Sequence, residues 1–270
     1  MKSLSIKTLL AVTLVTTLVE AKETVKTVVP VIKSQKQNLV DMAGKQRMLS
    51  QRIVKDYLYK GKKVATAKAT KQLNRSVQEF GTALKTLNSS LNDEEIKNLL
   101  EFVDMSFSDF KEITDKPFDL DNAQIALDLS ESLLEGSQFV VDSVKSSSTL
   151  SKDKSNSSII AKSGKQRMLS QRIAKYYIAY QSGIKDKNTV EQMKATVKEF
   201  TKNHKELMAN KSNSSEINQK LNNVDKLWKI VYKFYLSIEK GGLPFIVFKS
   251  TDDITKKMDE ITKLYVAQGK

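Results

Sequence analysis

The ten residues Gly44-Lys45-Gln46-Arg47-Met48-Leu49-Ser50-Gln51-Arg52-Ile53 recur unchanged as Gly164-Lys165-Gln166-Arg167-Met168-Leu169-Ser170-Gln171-Arg172-Ile173, an offset of 120. Identity of that length is beyond chance, so the chain carries an internal duplication and its fold must accommodate the same unit twice. Val77, Glu79 and Phe80 correspond to Val197, Glu199 and Phe200 at the same offset. After one inserted residue, Glu95-Ile96 and Val103-Asp104 correspond to Glu216-Ile217 and Val224-Asp225, and Phe107 to Trp228. Pro117 and Pro244 precede the last segment of each unit. Two modules are expected, residues 22–147 and 148–270, with the Ser/Lys/Asn stretch from Ser146 to Ser158 as the seam.

Few turns are available to such a unit. With 9 Gly and 3 Pro in 270 residues, β-rich and loop-rich architectures are disfavoured and a helical one is expected. Ile32, Leu39, Met42, Leu49 and Ile53 fall on one helical stripe, with Pro30 near its start and Gly61 near its end. Further helices are expected at about 65–87, 92–113 and 120–144, then at about 159–181, 189–208, 214–239 and 251–266. Asn92 with Glu95 is a candidate capping pair, Asp119 or Asp121 a candidate cap of the fourth helix, and Gly241-Gly242 with Pro244 separates the last two. The fold class is therefore all-α: two tandem up-and-down four-helix bundle modules arranged as a pseudo-twofold dimer. The alternative is a fourth helix that runs on into the second repeat as one rod.

At the N-terminus, Lys2 and Lys7 precede the apolar run Leu9 to Val19 and then Val19-Glu20-Ala21. This reads as a secretory signal cleaved after Ala21, which places the chain in the periplasm. The run is about half of the ~20 residues a spanning helix needs, and an uncleaved membrane anchor is the alternative.

Composition removes several chemistries. Without cysteine, and with a single histidine, thiolate nucleophiles, zinc-thiolate sites, catalytic triads and histidine metal clusters have no material, so neither an enzyme nor a metal or other cofactor is expected. The net charge of +14 favours anions as partners.

The repeated decapeptide offers a place for one. On a helical wheel with Arg47 at the origin, the core stripe lies near about 220°, Gly44, Met48 and Gln51 between about 40° and 100°, and Arg52 at about 140°. Arg47 thus points away from its own core, beside a glycine that lets another backbone approach, while Arg52 has a different face and a different task. A solvated or carboxylate-paired arginine is the plain alternative. If the modules pair about a twofold axis through their first helices, Arg47 meets Arg167 across it. Two guanidinium groups about 5 Å apart at an effective dielectric of about 20 repel by on the order of 3 kcal/mol. A small anion between them reverses that sign. The planar, permanently charged fork suits a planar oxyanion, so nitrate or nitrite fits better than the bulkier, more strongly hydrated phosphate or sulfate.

The motif Gly44-Lys45-Gln46-Arg47-Met48-Leu49-Ser50-Gln51-Arg52 resembles the signature of the PilJ-type domain, the N-terminal periplasmic domain of type IV pili methyl-accepting chemotaxis transducers. That domain is related to the sensor regions of nitrate/nitrite histidine kinases of the NarX and NarQ type. The resemblance implies a helical bundle in which an arginine from each of two first helices holds one nitrate at an interface. By position, Arg47 and Arg167 match the anion-touching arginine, and Arg52 and Arg172 match the second motif arginine, with a supporting role. The rest of the candidate ligand-binding set is Gly44, Gly164, Gln51 and Gln171. Met42 and Lys162 stand where the kinases have a lysine, so the first copy departs from their pattern. The resemblance covers the sensor half only, with no second membrane span, HAMP-like stretch, kinase or methyl-accepting domain, and implies a membrane transducer or kinase as partner, with a homo-oligomer as a further option.

Other residues carry weaker signals. His204 is expected to be a surface or partly buried side chain, not a ligand. Glu94-Glu95, Asp252-Asp253 and Asp259-Glu260 are expected at helix starts or on solvated faces. Trp228, Tyr232, Phe234 and Tyr235 have core spacing, and interspersed acids argue against nucleic acid at Lys60 to Lys63. Two functions follow. One is a periplasmic sensor or binding protein for a small oxyanion, most simply nitrate or nitrite, held between the paired arginines. The other is an envelope or type IV pilus-associated interaction protein that uses the bundle as a scaffold.

Overall fold

A computed structural model describes residues 37–146, 154–240 and 242–268, and everything it describes is helix or short connection, without a strand. The expected signal segment, Pro30 and the centre of the seam lie outside the described residues. Helix α1 spans 37–61, followed by α2 (Thr66–Ser90), α3 (Glu94–Asp115), α4 (Leu120–Ser146), α5 (Lys154–Ser182), α6 (Lys187–Met208), α7 (Ser215–Leu236) and α8 (Pro244–Gln268). The architecture is an all-α bundle, as the residue spacing predicts.

Local chemistry sets the helix ends. Asp93, not Asn92, caps α3, accepting from the Ile96 amide at 3.2 Å, and Asp119 caps α4 through the Asn122 amide at 2.7 Å. Asp186 and Ser214 cap α6 and α7 in the same way. Helix α8 begins at Pro244, seven residues before the expected start, because proline at the first helical position gives up only an amide that has no intrahelical partner. Helix α1 ends in a turn where Lys63 and Ala65 take left-handed backbone angles.

The duplication is repeated in the core. Buried Ala69, Leu73, Ser76, Phe80, Leu84 and Leu87 of α2 have their counterparts, 120 residues on, in Thr189, Met193, Thr196, Phe200, His204 and Leu207 of α6. Ile96, Leu100, Val103, Phe107, Phe110 and Thr114 of α3 correspond, 121 residues on, to Ile217, Leu221, Val224, Trp228, Val231 and Tyr235 of α7. Phe107 stacks on Phe80 at 4.4 Å between centroids and Trp228 packs on Phe200 at 4.1 Å. His204 therefore stands at a core position where the first half has Leu84, fully buried rather than at the surface.

Helices α1 and α5 differ from the other six. Their buried residues include Gln46, Arg47, Ser50, Gln51 and Lys55 in α1, and Gln166, Arg167, Ser170, Gln171 and Lys175 in α5, so they are covered on nearly every face. A one-sided stripe is therefore too narrow a description of α1. The two helices form a common centre: Lys55 of α1 reaches Asp252 of α8 at 2.8 Å, and Lys175 of α5 binds Glu131 of α4. Each half thus grips the last helix of the other. The reason is that a polar face costs little to bury when its charges meet partners across the seam.

Candidate functional site

Arg47 and Arg167 converge where α1 and α5 meet. A Cβ placed on Gly44 would lie 3.3 Å from Arg47 Nη2 and 3.8 Å from Arg167 Nη2; on Gly164 it would lie 3.1 Å from Arg167 Nη2 and 3.7 Å from Arg47 Nη2. The two glycines vacate the space that both guanidinium groups enter. Arg47 is only 2 % exposed, held between Gln138 of its own half and Ala161 of the second.

The surroundings of the two arginines are unequal. Arg167 donates from Nη1 to Asp259 at 2.6 Å and from Nη2 to Asp41 at 2.5 Å, one carboxylate from each half. These carboxylates offset the cost of burial and hold the Arg167 pKa above its ordinary value, while the Asp259 carboxyl is held below its own. Arg47 donates from Nη1 to the amide oxygen of Gln138 at 2.6 Å and from Nη2 to the carbonyl of Ala161 at 3.1 Å. Gln138 is the positional counterpart of Asp259, and Ala161 of Asp41. Burial first, and then the charge of Arg167, pull the Arg47 pKa down to about 10. Its Nε, like that of Arg167, is buried without a hydrogen-bond partner.

A cavity of about 210 Å³ opens onto Arg47 and is lined by Gln138, Asp142, Lys145, Ala161, Lys162, Lys165 and Asn203, among others. Four of its side chains are cationic against one carboxylate. Lys162 also pairs with Glu206 at 2.5 Å, and Lys165 pairs with Glu199. Arg47 of the first copy and Lys162 of the second thus line one space, whereas the first copy has Met42 in place of the lysine.

The other expected site residues stand elsewhere. Gln51 donates to the Ser130 carbonyl at 3.1 Å and Gln171 to Thr255 Oγ1 at 2.6 Å, so both tie a central helix to the last helix of its own half. Arg172 pairs with Glu131 at 2.5 Å and donates to Gln192 at 3.0 Å. Arg52 lines a second cavity of about 410 Å³ together with Lys45, Gln72, Asp252 and the seam residues Arg167 and Asp259. Arg172 thus ties the second half to α4 of the first, and neither second motif arginine lines the cavity at Arg47.

Sequence reasoning passed over Asp41, Gln138, Asp259, Lys55, Lys175 and Glu131. Asp252 and Asp259 are not solvated helix-start acids: both lie inside α8, and they clamp Lys55 and Arg167. Aligning the halves would have raised these positions, since Asp41 faces Ala161 and Gln138 faces Asp259 in otherwise matching surroundings.

The described residues form an all-helical, internally duplicated bundle with paired arginines at its central seam and hold no metal-binding cluster of His, Cys, Asp or Glu. The sequence profile of the family described as type IV pili methyl-accepting chemotaxis transducer N-term, PilJ, matches residues 33–108 and 148–235, one segment around each copy of the motif and together more than half of the chain. The chain belongs to the PilJ family, a non-catalytic family of transducer N-terminal domains associated with chemotactic signalling. No curated protein and no solved structure matches it. No described helix is long and apolar enough to cross a membrane.

Proposed function

We propose that this chain is a periplasmic sensor for a small planar oxyanion, nitrate or nitrite, bound at the seam between α1 and α5 and reported to a membrane transducer or kinase. One observation carries the reading: Arg47 is a fully buried cation beside a second cation, with only neutral hydrogen-bond acceptors of its own. An isolated buried charge is costly, and an anion that accepts from its fork and its free Nε would restore the missing partner. The adjoining lysines, each paired with a carboxylate (Lys145 with Asp142, Lys162 with Glu206, Lys165 with Glu199), can turn toward an entering anion.

In this reading Arg47 is the contact residue and Arg167 its charged neighbour. Gly44 and Gly164 keep the space open. Gln51, Gln171, Arg52 and Arg172 hold α1 and α5 against the flanking helices. Occupancy cancels the Arg47–Arg167 repulsion and lets α1 and α5 settle closer, a rigid-body shift that a partner can read. Calorimetry of the protein with nitrate, nitrite, chloride and sulfate tests the proposal. Binding of nitrate or nitrite that is lost in Arg47→Ala supports it, and no binding of either anion refutes it. A second reading, an envelope or pilus-associated scaffold, draws on exposed Phe102, Met105 and Phe139, and gains if no anion binds.

A further inference from the structure

The duplicated motif would supply two equivalent arginines, but the structure gives them different company. We infer that Asp41 is a tethered anion that permanently fills the Arg167 half of the seam, so that each chain keeps a single exchangeable oxyanion site, at Arg47. The inference rests on the oxyanion reading above and deepens it by assigning unequal roles to the two halves.

Four matched positions carry it. Asp41 stands opposite Ala161, Asp259 opposite Gln138, Met42 opposite Lys162, and Val266 opposite Lys145. At these four the environment of Arg167 is more negative, or less positive, than that of Arg47; a fifth, Lys263 opposite Asp142, runs the other way without reversing the balance. Asp41 Oδ1 contacts Arg167 Nη2 at 2.5 Å, an end-on pairing like the one a bound oxyanion would make with a fork. The equivalent residue beside Arg47 ends at a methyl group. Ala161 lines the 210 Å³ cavity that opens there, whereas the cavity of about 410 Å³ that opens onto Arg167 holds Asp259, a carboxylate already paired with that arginine.

Asp41 sits in α1 and Arg167 in α5, so this contact also fastens the two halves across the seam. At Arg47 the corresponding fastening is the weaker bond to the Ala161 carbonyl, made by a neutral acceptor. The seam is thus pinned on one side and adjustable on the other. An anion that enters at Arg47 adds the missing second pin.

Exchange of the two residues tests the assignment, with sodium nitrate as the probe and calorimetry on the full chain as the readout. Wild type should bind one nitrate per chain. Ala161→Asp places a carboxylate beside Arg47 and should weaken nitrate binding by at least about tenfold, with melting temperature unchanged or raised because the new carboxylate pairs with Arg47. Asp41→Ala should add a second nitrate per chain at Arg167, and Asp41→Ala combined with Arg47→Met should bind one. Nitrate affinity in Ala161→Asp within twofold of wild type, or unchanged stoichiometry in Asp41→Ala, overturns the tethered-anion assignment while the oxyanion reading stands. Absence of nitrate binding in wild type and in Asp41→Ala overturns both.

Discussion

Helices α1 and α5 carry the same ten residues, yet one arginine is neutralised and the other is not. Arg167 lies between Asp41 and Asp259, while Arg47 lies between an amide and a carbonyl. A motif therefore specifies which group is delivered to a place, and its neighbours specify what that group can still do. Duplication permits such a division, because one copy can hold the halves together while the other remains free to bind. The same inequality appears a little over two turns further on. Lys55 meets fully buried Asp56 and also Asp252, 9 % exposed at its side chain and shared with Lys68, whereas Lys175 meets Glu131, 36 % exposed and shared with Arg172.

The largest separation between the halves is expected at these lysines. Lys55→Met should cost about 3 kcal/mol, because it takes the cation from two carboxylates at once, Asp252, which keeps Lys68, and fully buried Asp56, while Lys175→Met should cost roughly 1 kcal/mol, since its one carboxylate, Glu131, is partly exposed and keeps Arg172. Urea melts of the two variants decide this, and equal losses would contradict the stated inequality. Next come the seam arginines. Arg167→Met leaves two partly exposed carboxylates behind and should cost about 2 kcal/mol, whereas Arg47→Met removes a repelled cation and should stay within about 1 kcal/mol of wild type in the same melts.

A smaller effect depends on pH. Asp56 is buried in α1, where the second half has Tyr176, and burial raises its carboxyl pKa to about 7 against the opposing pull of Lys55. The folded protein then holds this proton more tightly than the unfolded chain does. Stability from this group is present below about pH 4 and is lost as pH rises to about 7. In Asp56→Asn that loss should vanish, so that its melting temperature no longer falls across the interval as that of the wild type does. The smallest contrast is at Gly81, which faces Thr201 of the second half, whose hydroxyl accepts from Trp228 Nε1 at 3.1 Å. A Cβ at Gly81 would meet only Phe107, at an ordinary 3.7 Å, so Gly81→Ala should stabilise the protein by about 0.5 kcal/mol in thermal melts.

Much of this was legible before any coordinates. Helix positions followed from apolar spacing, and the one-residue insertion found by matching Phe107 to Trp228 predicts the buried pairs of α3 with α7 and of α4 with α8. The errors have physical causes. Asn92 and Asp93 are both good caps, and only the direction of the chain entering α3 selects between them. The start of α8 was placed late because Gly241-Gly242 and Pro244 read as a break, although proline is compatible with a first turn. The solvated reading of Asp252 and Asp259 failed because pairing across the halves has no signature along a single helix.

Repetition of the decapeptide, helical periodicity and the scarcity of glycine and proline were enough to establish an all-helical fold of two related halves, because these properties act through neighbours three or four residues apart. They also marked Arg47 and Arg167 as a pair. Which arginine would be satisfied was decided only when α1, α4, α5 and α8 came together, since the energy of a buried charge depends on groups a few ångströms away in space and more than 90 residues away along the chain.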